Sequence, residues 1–208
     1  IRRVADLTLT MADVIHNIKE GPYKDITFTK DQIYELKIAA YMHDIGKVTS
    51  PVEIVEKGKK LQTIFDRIQY IRLRMAYISQ RIILEGQNAK IEILQNGSDS
   101  EKLKALETET HNKLEEIKEI REFINKCNEP GEFLDDETLE RLKEISQKTY
   151  IDDEEKQQPF LTEDELVNLS IRRGSITEAE RKKMQDHAAV TLKMLKQIPF
   201  TKKLKNIP

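Results

Sequence analysis

Residues 64–82 read IFDRIQYIRLRMAYISQRI. In that stretch Ile64, Ile68, Ile71, Met75, Ile78 and Ile82 recur at alternating steps of four and three. This is a heptad seam held for nearly three repeats, and it predicts a long helix with one partner-facing edge. Arg67, Arg72, Arg74 and Arg81 lie off the seam. Downstream, Asn96-Gly97 predicts a turn, and Ser98 with Glu101 has the spacing of a capping box. A second, more charged helix follows through Leu103, Leu106, Thr110, Leu114, Ile117, Ile120 and Ile124, ended by Pro130-Gly131. Two long periodic helices joined by a short turn predict an antiparallel helical hairpin over 62–127. Additional core helix is the plain reading of that hairpin. The seam and its charged flanks favour an arm that stands partly away from the core or mediates a homodimer.

Outward from the hairpin the chain stays helical. Residues 1–19 form a predicted helix with an apolar face through Val4, Leu7, Met11, Ile15 and Ile18, broken by Gly21-Pro22. No cap precedes it, so the chain reads as cut from something longer. Thr29 with Gln32 caps a helix that runs to His43-Asp44. Asp135-Asp136 opens a short helix through Leu139, Leu142 and Ile145, and an acidic, Gln-rich loop at 152–158 leads to Pro159. Thr162 with Glu165 and Thr177 with Glu180 cap the last two helices. The expected fold is all-α.

Composition agrees. In 208 residues, charged side chains make up 35%, with only 7 Gly, 6 Pro and no Trp. That is the balance of a helical, soluble chain. A net charge of −2 argues against a general nucleic-acid binder. One cysteine, Cys127, excludes an intrachain disulfide framework and fits a reducing, cytoplasmic compartment. Its helical, polar context suggests packing rather than nucleophilic chemistry. No apolar run reaches the roughly 18 residues of a membrane span.

Chemistry concentrates at Ala39-Ala40-Tyr41-Met42-His43-Asp44-Ile45-Gly46-Lys47. Adjacent imidazole and carboxylate offer a neutral nitrogen donor and an anionic oxygen donor, the pair that water-activating divalent metals use. Ile33, Leu36 and Ala40 form an apolar stripe whose continuation lands on His43, so its ring is expected to point inward. Gly46 is expected to let the chain turn away. Lys47 would set a cation where a phosphate could sit. The last helix carries Met184, His187, Thr191, Met194 and Leu195 on one face, so His187 is also expected to face inward. A hydrogen-bonded core histidine is the structural alternative for each. His16 and His111 receive no chemical role. Three ligands are fewer than the roughly six that a dinuclear centre needs.

Two segments resemble the HD superfamily of metal-dependent phosphohydrolases. They are AAYMHDIGKVTSP at 39–51 and RGSITEAERKKMQDHAAVTLKMLKQIP at 173–199. Within that superfamily they are similar to the HD-GYP branch of cyclic-dinucleotide phosphodiesterases. The opening Ile1-Arg2-Arg3-Val4 looks like the branch's His-x-x-Arg-Val helix. The resemblance covers about half the chain. It implies an HD-domain helical core in two parts, 1–61 and 161–208, with 62–160 as a helical insertion. It makes His43, Asp44 and His187 metal ligands, with Asp44 bridging two ions. Lys47 would contact substrate phosphate, and Arg172 and Arg173 could reach an anionic ligand. The implied cofactors are divalent metals, iron or manganese first, with zinc, nickel or magnesium as alternatives. The branch's first His would precede Ile1; its paired His, Gly-Tyr-Pro motif and late Asp would follow Pro208. The chain is therefore expected to be a fragment with little turnover alone.

The implied function is hydrolysis of a cyclic dinucleotide such as cyclic di-GMP, with a sensor domain coupled in the parent protein. Two alternatives stay open. One is a generic HD-family nucleotide phosphohydrolase, and the other a non-catalytic signalling and dimerisation module.

Overall fold

The computed structural model describes residues 2–207 apart from 98 and 132, and the chain in it is mostly helical. In chain order the helices are α1 (Arg2–Asn17), α2 (Lys30–Met42), α3 (Val52–Val55), α4 (Ile68–Gln95), α5 (Ser100–Cys127), α6 (Asp136–Gln147), α7 (Glu163–Leu169) and α8 (Glu178–Gln197). Two strands, β1 (Thr149–Ile151) and β2 (Gln157–Pro159), complete the regular structure, with 3₁₀ turns at Ile45–Thr49 and Lys202–Leu204. The chain divides into two compact units, one of residues 1–55 with 178–208, the other of 56–177. Among the described residues, no helix is long and apolar enough to cross a membrane.

The 56–177 unit is built on the hairpin. Ile68, Ile71, Met75 and Ile78 of α4 are buried against Ile117, Ile120, Ile124 and Cys127 of α5, so the expected seam is the internal contact. Ile64 lies outside it, in the turn before α4, and is 92% exposed. Gly97, with φ +117°, makes the turn between the helices. The cap of α5 is Asp99, whose carboxylate accepts from the backbone N–H groups of Glu101 and Lys102; Ser98 lies outside the described residues. Farther along, Gly86 sits against Thr110, where a Cβ would come within 2.8 Å of the hydroxyl.

The lower half of the hairpin forms a core of its own. Leu61, Leu134, Leu142, Ile145, Phe160, Leu161 and Leu169 close over the same cluster. The compact unit around the hairpin takes in residues 56–177, so it includes residues on either side of 62–160. Leu61 before it and Leu161 and Leu169 after it are fully buried in its apolar centre. The buried Asn128 stitches the start to the end of α5: it accepts from the Leu61 N–H at 2.9 Å and donates to Asp66 at 2.9 Å. Arg74 of α4 holds Glu165 of α7 through two hydrogen bonds, 2.8 and 3.2 Å, and also donates to the Phe160 carbonyl.

The expected loop at 152–158 holds the turn and the start of the second strand of a small antiparallel β-hairpin that the helical reading did not include. Thr149, Tyr150 and Ile151 pair with Pro159, Gln158 and Gln157. Asp152 organises its turn by accepting from the N–H groups of Glu154 and Lys156.

The other unit is leaner. α1 packs on α2 through Ala5 and Ala12, while Val4, Leu7, Met11 and Val14 are exposed. Of the face expected to be buried, Ile15 and Ile18 are half-buried while Val4, Leu7 and Met11 are exposed, and the close contact is made by the alanines, which allow a nearer approach of helix axes. Thr29 and Gln32 form the expected reciprocal cap of α2. His16 accepts a hydrogen bond from the Phe28 N–H at 3.0 Å, tying the connecting loop back to α1.

Candidate metal centre

α2 ends at Met42, and His43 and Asp44 follow at its C-terminal edge. The His43 Nδ1 lies 2.7 Å from the Ala40 carbonyl, one of the orphan acceptors of a helix end. On α8, the His187 Nδ1 contacts the Met184 carbonyl in the same i−3 relation. A carbonyl can only accept, so each Nδ1 must carry its proton there. The other ring nitrogen of each histidine is then turned toward Asp44.

Both rings meet on that carboxylate. His43 Nε2 lies 3.0 Å from Asp44 Oδ2, and His187 Nε2 lies 3.6 Å from Oδ1. With Nδ1 protonated, a neutral ring presents only a lone pair at Nε2, and a carboxylate is likewise acceptor-only. Such a contact becomes favourable when a proton or a metal cation stands between the two. Fixing Nδ1–H on a backbone carbonyl to free Nε2 is the arrangement that orients metal-binding histidines. Lys47 completes the cluster, with Nζ 2.6 Å from Oδ2. Its hydrogen bond holds the Asp44 carboxyl below the ordinary range, assisted by the fields of His43 and His187 and opposed by partial burial.

Gly46 sets this geometry. It has no positive φ, so turning is not its purpose. A Cβ there would fall 2.2 Å from the His187 carbonyl and 2.6 Å from both the backbone N and the hydroxyl of Thr191. Only a residue without a side chain lets the 3₁₀ turn lie directly on α8. The Gly46 N–H donates to the Thr191 hydroxyl at 2.9 Å in a buried bond. Thr191 stands four residues after His187 on the expected inner face, but its role as acceptor had no signal apart from that spacing.

The three expected ligands therefore come together. They are partly buried rather than enclosed: the His43, His187 and Asp44 side chains are 37%, 24% and 19% exposed. The apolar stripe of α2 ends at Ala40, and His43 lies at the helix edge rather than pointing inward. The carboxylate closes directly on its partners, and among the described residues no group of three or more His, Cys, Asp or Glu forms a ready-made metal site. By donor type and orientation His43, Asp44 and His187 fit a divalent ion, which needs further donors to complete its shell.

Arg172 and Arg173 were the further residues expected to reach an anionic ligand. Both belong to the 56–177 unit. There Arg172 pairs with Asp136 and stands over the Phe133 ring at 5.9 Å, and its carbonyl accepts from Leu134. Arg173 is exposed. Cys127 is buried, and loss of water pushes its thiol pKa up, which suits packing rather than nucleophilic chemistry.

Comparison with known proteins adds no relative: no protein-family profile, no curated protein and no solved structure matches the chain.

Proposed function

We propose that His43, Asp44 and His187 belong to a metal-dependent phosphodiesterase site of the HD-GYP type, acting on a cyclic dinucleotide such as cyclic di-GMP. The observation that carries the reading is the convergence of His43 and His187, from separate helices, on the two oxygens of Asp44. His43, Asp44 and His187 would hold the divalent metal, with iron or manganese best suited to mixed imidazole and carboxylate donors. When bound, such ions supply an activated water and neutralise phosphoryl charge.

The chain's own groups do the rest. Asp44 presents one oxygen to each imidazole, and its carboxylate would share in holding the metal. Lys47 is more than half exposed and reaches the site on a flexible stem, so its ammonium can move from Asp44 to a phosphate oxygen. There it would offset the charge gathering on the phosphoryl group. Charge distribution supports an anionic substrate. The unit with the site has fifteen Lys and Arg against eleven Asp and Glu, whereas the inserted unit has twenty against twenty-six. The single, buried cysteine favours a reducing, cytoplasmic setting.

The test is product chromatography of cyclic di-GMP incubated with manganese or ferrous iron and with this chain, or with a longer protein that carries it. Asp44→Ala should abolish turnover. Lys47→Ala should keep metal content nearly intact and slow the reaction at least tenfold. Undiminished turnover in Asp44→Ala would overturn the reading.

A further inference from the structure

Residues 96–99 join α4 to α5, and they begin with Asn96-Gly97. The chain has eight asparagines, at 17, 88, 96, 112, 125, 128, 168 and 206, and Asn96 alone precedes a glycine. Asn88, Asn112, Asn125 and Asn168 lie inside α4, α5 and α7, where the next N–H belongs to the helical ladder. After Asn17, Asn128 and Asn206 the next N–H donates to the carbonyls of Val14, Lys126 and Leu204, at 3.1, 3.1 and 3.4 Å. Asn96 differs on every count. Its side chain is exposed, and neither its amide nor the Gly97 N–H makes a hydrogen bond to a described residue. A Cβ built on Gly97 meets nothing within 4 Å, and φ there is +117°.

We propose that Asn96 is a modification site, at which the Gly97 nitrogen closes on the Asn96 side chain and expels its amide as ammonia. The chemistry needs only water. The Gly97 nitrogen bonds to the Asn96 Cγ, the Cγ–Nδ2 bond breaks, and the proton from the Gly97 N–H passes through water to the leaving nitrogen. Water then opens the five-membered succinimide. Attack at Cγ leaves an ordinary aspartate; attack at the residue's backbone carbonyl leaves an isoaspartate, whose main chain runs through the side-chain carbon. Asn96 stands at φ −94° and ψ 17° as the C-cap of α4, so the ring closes only after a rotation about ψ. A Gly97 N–H without an acceptor gives up no bond in that rotation. Gly97 absorbs the compensating turn, since a residue without Cβ takes either sign of φ.

The products act where the hairpin is held least. The buried residues of α4 end at Ile78, and those of α5 begin at Ile117. Beyond them the two helices are joined by half-buried side chains such as Ile83 and Leu106, by the Gly86–Thr110 contact and by the Lys90–Glu107 pair at 2.7 Å. A carboxylate at 96 stands at the negative end of the α4 dipole, where the last turn has no basic residue. It also lies three positions from Asp99, the anionic cap of α5. The isoaspartyl form in addition lengthens the main chain of a short link. Both loosen the distal half of the hairpin and leave the lower core intact. The inserted unit thus carries a slow, one-way switch between its two long helices.

Peptide mapping of the 208-residue chain held in warm, neutral buffer tests this, with enzymatic methylation to count isoaspartyl groups. Conversion at Asn96 should outpace that at each of the other seven asparagines at least tenfold. Asn96→Gln, whose longer side chain does not close the five-membered ring, should lose most of the methyl label. Hydrogen exchange in residues 82–114 should quicken at least threefold in the aged wild-type chain and stay unchanged in aged Asn96→Gln. Exchange in 68–78 and 117–127 should stay unchanged in both. An amide that persists at Asn96, or conversion there no faster than at the other asparagines, would overturn the site. Unchanged exchange in the converted chain would overturn the switch.

Discussion

Gly46 is the residue on which the candidate site depends most. Its missing Cβ leaves no room to spare against the α8 backbone at His187 and Thr191. Gly46→Ala should cost about 1–3 kcal/mol or more, because the nearest obstacle is backbone and cannot swing away. Thermal melting would register the loss; an unchanged midpoint would mean that the turn and α8 do not lie this close. Thr191→Val removes the acceptor of the buried Gly46 N–H and should cost about 1–3 kcal/mol, whereas Thr191→Ser should be far milder. Asp44 makes a pH-dependent contribution whose sign follows from its lowered pKa. A carboxyl depressed in the folded state stabilises it above the unfolded value near 3.9, and that stability is lost as pH falls through the folded value. The melting difference between wild type and Asp44→Asn should therefore be present at neutral pH and shrink below about pH 4. A difference that grows on acidification would contradict the Lys47 contact.

At the scale of elements, the seam of α4 is where a charge is least tolerated. Ile71→Asp or Ile78→Asp buries a carboxylate without a partner in the apolar cluster and should unfold the hairpin, seen as lost helical circular dichroism and lost amide protection. If protection in α4 and α5 stays unchanged, the seam is not buried. Glu165→Ala should cost about 3–5 kcal/mol, since it leaves the Arg74 guanidinium buried without its carboxylate. The hairpin and the caps at Thr29 and Thr162 were legible in sequence because periodicity and capping are local signals. The buried face of α1 was not, because a helix that packs through Ala5 and Ala12 hides its contact behind larger, exposed neighbours. Nor was the β-hairpin at 149–159, whose three-residue strands are polar and depend on Asp152 and the Tyr150–Phe160 contact. The place of His187 could be read from the inner face of α8, whereas that of His43 could not be read from the stripe of α2, which ends at Ala40 before the C-cap. The purpose of Gly46 could not be read either, because it depends on a helix more than a hundred residues away.

At the scale of the whole molecule, the two units differ in kind. The inserted unit has a continuous apolar centre drawn from α4, α5, α6, α7 and their connections. Residues 56–177 alone should fold with a cooperative thermal transition; a featureless melt would show that its core is incomplete without the rest. The other unit buries mainly small side chains, Ala5, Ala12 and Ala40, besides Ile54, Thr191 and Leu195, and holds the chemistry at its surface. The central claim is that His43, Asp44 and His187 act together on a divalent cation. Calorimetric titration of Mn²⁺ into the chain at neutral pH tests it most directly, with Asp44→Asn and Arg172→Ala beside the wild type. The account predicts measurable binding in wild type and in Arg172→Ala, and at least tenfold weaker binding in Asp44→Asn. Equal binding by Asp44→Asn and wild type would contradict it.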